Sequence, residues 1–383
     1  MLNIDRSEDE QKIAKLIEQF PVTAILGPRQ SGKTTIVSGI KAEHRFDLEN
    51  PRDLAVFDNP QTVLENCSGT IVIDEIQRKP ELFPLLRYLV DTHKNKQKYI
   101  ILGSASKDLI KQSSESLAGR IAYYELGGFR LQDIGPKNWP ALWYRGKFPL
   151  SYLAQDDQAS AQWREQYITS FLERDIPQLG ISIPANILRR FWLMLCDYHG
   201  NIINHSELGR AFGISDTTVR RYLEILQSTF MIRLLQPWHA NISKRQVKNP
   251  KLFIRDAGIF HALLGFSSLN NVYGSVKVGA SWEGFVLEEI VQIIQKRREE
   301  VFFWRTHNGA ELDMLWMDNG TLFGVECKFS DSPKLTPSML SALEDLKLAQ
   351  LWIVYPGDKA YSLHDKVKVV PFSQITAKDL FIG

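Results

Sequence analysis

The sequence predicts an α/β protein built in three parts. The first, over residues 1–150, is a parallel sheet wrapped by helices. The second, over 151–275, is mostly helical, and the third, over 276–383, is a small mixed α/β domain. Three observations lead there. Short apolar runs rich in β-branched residues recur near the front (Val22–Leu26, Thr70–Ile73, Tyr99–Leu102), each ending in polar or glycine-containing sequence, as buried parallel strands do. In the middle, Val219, Leu223 and Leu226 recur at helical spacing. From Val278 one long apolar helix leads into strands whose polar and apolar side chains alternate. A chain of 383 residues also exceeds what one core normally supports.

Composition narrows the function classes. Apolar residues make up 44% and charged residues 23%, ordinary values for a globular protein. Lys and Arg total 46 against 44 acids, a net charge of +2, so any basic surface for nucleic acid must be local. The three cysteines, Cys67, Cys196 and Cys327, lie far apart with neither metal-site nor disulfide spacing. That usage and the charged N-terminal stretch MLNIDRSEDEQKIAKLI point to the cytoplasm. No apolar run approaches the roughly 20 residues of a membrane-spanning helix, so no membrane partner is expected.

The first strand runs into a phosphate-binding loop. After Val22–Leu26 come Gly27, Pro28, Arg29, Gln30, Ser31, Gly32, Lys33 and Thr34, and Thr35 continues into helical sequence. Glycines let the backbone approach phosphate oxygens, and the N–H groups of the loop and helix start point at them. Lys33 can reach the β- and γ-phosphates of a nucleotide, and the Thr34 hydroxyl can bind Mg2+. The strand Thr70–Ile73 ends in Asp74 and Glu75, which parallel pairing puts at the same sheet edge. Asp74 is expected to hold Mg2+ and Glu75 to orient the attacking water. Ser104, closing the strand Lys98–Gly103, falls between these acids and the γ-phosphate. Arg120 suits a finger for a neighbour's nucleotide, or is an ordinary surface arginine.

Together the loop, the run Ile71–Glu75, the strand end Gly103–Ser106 and the segment Ser116–Arg120 resemble an AAA-type ATPase domain. The version is the prokaryotic one followed by an uncharacterised C-terminal region. The resemblance implies ATP binding, hydrolysis, and assembly into a homo-oligomer that puts Arg120 at a subunit interface. It also matches Glu173–Leu179 to the start of the C-terminal region and Trp143–Pro149 to a preceding linker.

In the middle region, Trp163–Leu172 reads as a helix ended near Pro177. Further on, Ser206 is expected as an N-cap with Leu208 and Ala211 facing inward, Gly213 as a turn, and Ser215 or Asp216 as the cap of a second helix. A strand over Phe230–Leu235 completes a pattern that resembles a winged helix-turn-helix. Thr217, Thr218, Arg220 and Arg221 would then face DNA, unless the element serves packing between domains. The acid-free stretch Asn241–Lys251, with Lys244, Arg245, Lys248 and Lys251, reads as a phosphate-contacting wing or a solvated loop.

At the C-terminal end a helix is expected over 280–298 and strands over Val301–Trp304, Glu311–Trp316 and Leu322–Phe329, with Asn319-Gly320 as the hairpin turn. Helical spacing groups Glu283 with Leu287, Ile290 and Ile294, while Glu288 heads a polar row with Gln292, Gln295 and Glu299. Strand alternation puts Glu326 and Lys328 on one face, with Asp313 alongside. The set Glu283, Asp313, Glu326 and Lys328 resembles the PD-(D/E)XK nuclease fold. That implies three carboxylate ligands for a second Mg2+ or Mn2+ and a lysine that holds the attacking water. The same residues also suit an internal salt-bridge cluster in a catalytically silent domain used for partner binding.

Overall fold

Alternation along the buried front strands builds a two-sided core. The computed structural model describes residues 4–93, 96–104, 115–239 and 246–380. Its first compact unit comprises residues 1–129 with 228–230, and its second comprises 130–227 with 231–383. In the first unit, strands β1 (Val22–Leu26), β2 (His44–Asp47), β3 (Gly69–Asp74), β4 (Gln97–Gly103) and β5 (Ile121–Glu125) form an all-parallel sheet in the order β2-β3-β4-β1-β5. Ala24, Ile71, Ile73 and Ile101 pack on one face against Leu82, Phe83, Leu86 and Leu89 of the helix Leu82–Thr92. Ile25, Val72, Ile100 and Leu102 pack on the other against Ile13, Ile36 and Val37 of the helices Ser7–Gln19 and Lys33–Ser38. Burial on both faces is why these strands read as unbroken apolar runs.

The second unit is organised around nine strands: β6 (Asn201–Ile202), β7 (Ile232–Pro237), β8 (Lys251–Ile254), β9 (Val301–Arg305), β10 (Glu311–Asp318), β11 (Thr321–Cys327), β12 (Gln350–Tyr355), β13 (Tyr361–His364) and β14 (Val367–Pro371). Their order is β13-β14-β12-β11-β10-β9-β7-β8-β6. Parallel pairing of Gln236 and Pro237 in β7 with Phe302 and Phe303 in β9 joins the middle region's hairpin to the C-terminal strands. The sheet therefore runs across residues 275 and 276. Asn319 (φ 47°) and Gly320 (φ 78°) make the β10–β11 turn, the left-handed pair that a tight hairpin uses.

Several expected details shift. Asn204, not Ser206, caps the helix His205–Phe212, accepting from the N–H groups of Ser206 and Glu207. Leu208 is buried but Ala211 is exposed. Gly213 (φ 74°) makes the turn, and Ser215 Oγ accepts from Thr218 N–H at the start of the helix Asp216–Ser228. The following strand starts at Ile232, because Phe230 takes a left-handed φ of 64°. Trp143 belongs to a buried helix, Trp139–Arg145, and its indole N–H donates to Ser281 Oγ at 3.0 Å, so that segment is not a linker.

The helix Val278–Ile294 ends earlier than 298, with Gln295 left-handed (φ 52°). Glu288 is not part of an exposed row. It is 2% exposed and ion-paired to Arg233 and Arg255. Neighbouring Glu289 meets Lys147 Nζ at 2.5 Å and accepts from Leu131 N–H. Three carboxylates on this helix, Glu283 included, thus find cations contributed from outside residues 276–383.

Candidate functional site

In the first unit, the phosphate-binding loop leaves β1 at the carboxyl edge of the sheet. Gln30 (φ 62°) and Gly32 (φ 95°) are left-handed, which gives the loop its curl. A Cβ at Gly27 would lie 2.1 Å from the Leu126 carbonyl oxygen, so only glycine fits there. Lys33 Nζ donates to the carbonyls of Gly27 (3.0 Å) and Pro28 (2.8 Å). Burial lowers its pKa to about 8, against the opposing pull of Glu75 and Asp74. Thr34 Oγ1 donates to Asp74 Oδ2 at 2.8 Å, and Glu75 N–H donates to Asp74 Oδ1 at 2.9 Å. Glu75 is itself left-handed (φ 55°). Burial raises its carboxyl above the ordinary range, opposed by Arg29 and Lys33.

Ser104, at the end of β4, accepts from Gln77 Nε2 at 3.1 Å, and the same amide nitrogen reaches Glu75. Arg29 pairs with Glu49 and stands 4.0 Å from Glu75. Lys33, Thr34, Asp74, Glu75 and Ser104 therefore stand close together. Arg120 does not join them. It precedes β5, at the sheet edge opposite the loop, and its guanidinium pairs with Asp91 at 2.6 Å. Sequence reasoning missed Gln77, and it missed Arg6. The Arg6 guanidinium is buried, pairs with Asp9, and donates to the carbonyls of Ser31, Gly127 and Gly128. Neither residue sits inside a motif; only proximity in space singles them out.

The residues of this loop fit a nucleotide and Mg2+. The space beside Gly27 tolerates no side chain, the buried Ser31 Oγ has no hydrogen-bond partner among the described residues, and a hydroxyl and a carboxylate stand together at Thr34 and Asp74. Gly27, Pro28, Arg29, Gln30, Ser31, Gly32, Lys33, Thr34 and Thr35 form the continuous strand-to-helix turn that such a cradle requires.

The second expected site lies in the second unit, where β10 carries an irregularity between Leu312 and Leu315. The register shift spans Asp313 and Met314, as a β-bulge does. Asp313 Oδ2 accepts from Cys327 N–H at 2.8 Å. Lys328 lies just past the end of β11, and its Nζ donates to Glu326 Oε1 at 2.6 Å. Lys251 reaches in from β8. Its Nζ donates to Glu283 Oε1 at 2.9 Å, pairs with Glu311, and stands 3.6 Å from Asp313 Oδ1. Lys251 is thus no wing residue; it is 2% exposed. Lys244 and Arg245 lie outside the described residues.

Burial and the Asp313 charge push Glu283 and Glu326 up to about 8, opposed by Lys251 and Lys328 respectively. Burial works against the Lys251 charge, but Glu283, Asp313 and Glu311 outweigh it and hold the ammonium well above the ordinary lysine range. Among the described residues, no three His, Cys, Asp or Glu side chains are grouped to hold a metal ion. Glu283, Asp313 and Glu326, expected as ligands for a second Mg2+ or Mn2+, have ammonium groups as neighbours instead.

Comparison with known proteins agrees on the front of the chain. Residues 19–135 match the AAA domain family, residues 136–270 a domain of unknown function (DUF8612), and residues 278–375 another (DUF4143). Among solved structures, the Walker-type ATPase PABY2304 of Pyrococcus abyssi covers 68% of this chain with 96% of its own, at 17% identity and a TM-score of 0.43. The uncharacterised proteins Rv2008c of Mycobacterium tuberculosis and Mb2031c of Mycobacterium bovis are each 44% identical over 375 residues, which span 97% of this chain and 85% of theirs. With identity of that extent, the chain belongs to the family of these mycobacterial proteins, and its N-terminal region is an AAA domain.

Proposed function

We propose that the chain is a Mg2+-dependent ATPase that drives a conformational cycle, and that its nuclease-like C-terminal region binds partners without cutting nucleic acid. One observation carries the ATPase reading: the Thr34 hydroxyl and Asp74 carboxylate meet at 2.8 Å beside the loop that holds Lys33. Lys33 binds the β- and γ-phosphates once its hydrogen bonds to the loop carbonyls are exchanged for phosphate oxygens. Thr34 and Asp74 would hold Mg2+, which when bound would neutralise charge on those phosphates. Glu75 takes the proton of the attacking water at its carboxylate, whose raised pKa suits a base. Gln77 and Ser104 keep that carboxylate oriented.

The test separates binding from turnover. Lys33→Ala is expected to lose tight ATP binding. Glu75→Gln should keep binding but lower turnover by about 10^2- to 10^4-fold. Unchanged turnover in Glu75→Gln would place water activation elsewhere.

A homo-oligomer follows from the same reading, with Arg120 acting on a neighbour's nucleotide because it stands away from its own loop. DNA is the partner suggested by the helix Asp216–Ser228, where Thr217, Arg220 and Arg221 are exposed. Replacing both arginines with alanine should weaken DNA binding and lower the salt slope by roughly one for each phosphate no longer neutralised. The three cysteines are free, which supports a cytoplasmic location. No described helix is long and apolar enough to cross a membrane. The position of Lys251 favours the non-cutting reading of the C-terminal region.

A further inference from the structure

We infer that Lys251 is a resident cation that replaces the divalent metal in the C-terminal carboxylate cluster, an inference that rests on the non-cutting reading above. The lysine projects from β8, whose backbone is paired to β7 through Leu235 and to β6 through Ile202. It therefore arrives from the middle region's hairpin rather than from the domain that owns the carboxylates. Its ammonium has Glu283 at 2.9 Å, Asp313 at 3.6 Å and Glu311 beside it, and it lies 5.5 Å from the Phe303 ring centroid.

A hard divalent cation shared by Glu283 and Asp313 would sit about 2.0–2.6 Å from their oxygens. That is the space the ammonium fills, and two cations that close repel strongly in a buried setting. Lys251 has little room to withdraw, because its side chain is 2% exposed and its backbone is held in the sheet on both sides.

Two further pairs complete the charge balance, while the buried Glu326 Oε2 has no hydrogen-bond partner among the described residues. Lys328 pairs with Glu326 at 2.6 Å, and Arg305 with Glu311 at 3.3 Å. Each of the four carboxylates has a cationic side chain within 4 Å, and Asp313 also accepts from Cys327 N–H. The Lys328 ammonium is engaged by Glu326, while its side chain is 38% exposed. The donor set is that of an internal ion cluster, and its chemistry fastens β8 to the helix Val278–Ile294 and to β10.

Mn2+ alone is the probe, read by electron paramagnetic resonance on the full-length chain without nucleotide, in an Asp74→Asn background that silences the first site. The protein with Lys251 intact is expected to hold no Mn2+ that depends on Asp313. Adding Lys251→Met should create one Mn2+ site, at least about tenfold tighter, that Asp313→Asn removes again. Mn2+ bound with Lys251 in place, and absent after Asp313→Asn, would overturn the inference. So would a folded Lys251→Met protein that gains no site. If Lys251→Met does not fold, the Lys251-containing protein and its Asp313→Asn partner still decide the matter. DNA cleavage abolished by Lys328→Ala would instead refute the non-cutting reading. Absent cleavage combined with no gain in Lys251→Met would refute the lysine's role and leave that reading standing.

Discussion

Replacing Glu288 with glutamine should be among the most damaging single substitutions in the second unit. The side chain is 2% exposed, with Arg233 Nε at 2.5 Å from Oε1, Arg233 Nη2 at 3.0 Å from Oε2 and Arg255 Nε at 3.1 Å from Oε2. Burial opposes its ionisation, but Arg233 and Arg255 outweigh burial and hold the carboxyl below the ordinary range. Glu288→Gln keeps the shape and removes the charge. Arg233, whose side chain is 4% exposed, is then left buried without a counter-charge. Breaking a buried pair from one side costs about 3–5 kcal/mol, most of it the desolvation of the abandoned ion.

Urea unfolding followed by tryptophan fluorescence reads this directly, because all nine tryptophans lie between residues 139 and 352, within the second unit. Glu288→Met combined with Arg233→Met and Arg255→Met should recover most of the stability, since a buried triad exchanged for apolar side chains is often neutral. A depressed carboxylate contributes stability above its unfolded pKa of about 4.3 and loses it as pH falls toward the folded value. Wild type should therefore lose this contribution in acid, and Glu288→Gln should not. A destabilisation below about 1 kcal/mol in Glu288→Gln, or a triple variant no better than the single, would refute the reasoning.

Two further outcomes are expected. Burial drives the pKa values of His199 and His261 down to about 3, so both are neutral in the folded chain. A base held below its unfolded pKa of about 6.5 costs stability as pH falls beneath that value, roughly 2 kcal/mol per histidine at pH 5. The urea midpoint of the second unit should fall between pH 7 and pH 5, less steeply in His199→Gln; an unchanged midpoint would contradict this. Gly27→Ala forces a Cβ to within 2.1 Å of the Leu126 carbonyl and should abolish ATP binding while leaving the tryptophan-reported transition in place. Retained affinity would show that the loop has another way to fit.

What could be read from the chain itself depended on sequence distance. The phosphate loop was legible because Gly27, Lys33 and Thr34 act within eight residues, and the parallel sheet brings Asp74, Glu75 and Ser104 to the same edge by a topology their strands advertise. Glu326 and Lys328 were legible by alternation, and Glu283 by helical spacing. Glu288 was misplaced by the same spacing, because its partners Arg233 and Arg255 lie 55 and 33 residues away. Lys251 sat in a basic run and read as a loop residue, since no periodicity marks a four-residue strand as the inner edge of a distant cluster. The irregularity in β10 around Asp313 left no trace in composition at all.

The nine-stranded sheet also bears on how such a protein can be taken apart by evolution. A C-terminal segment severed at residue 275 would keep Glu283, Glu311, Asp313, Glu326, Lys328 and Arg305 but leave Lys251 behind. Recombination that moved the segment elsewhere would unmask its carboxylates, and a single codon change at position 251 would do the same without moving anything. The charge balance of the C-terminal carboxylates would thus depend on a side chain lent from the preceding region.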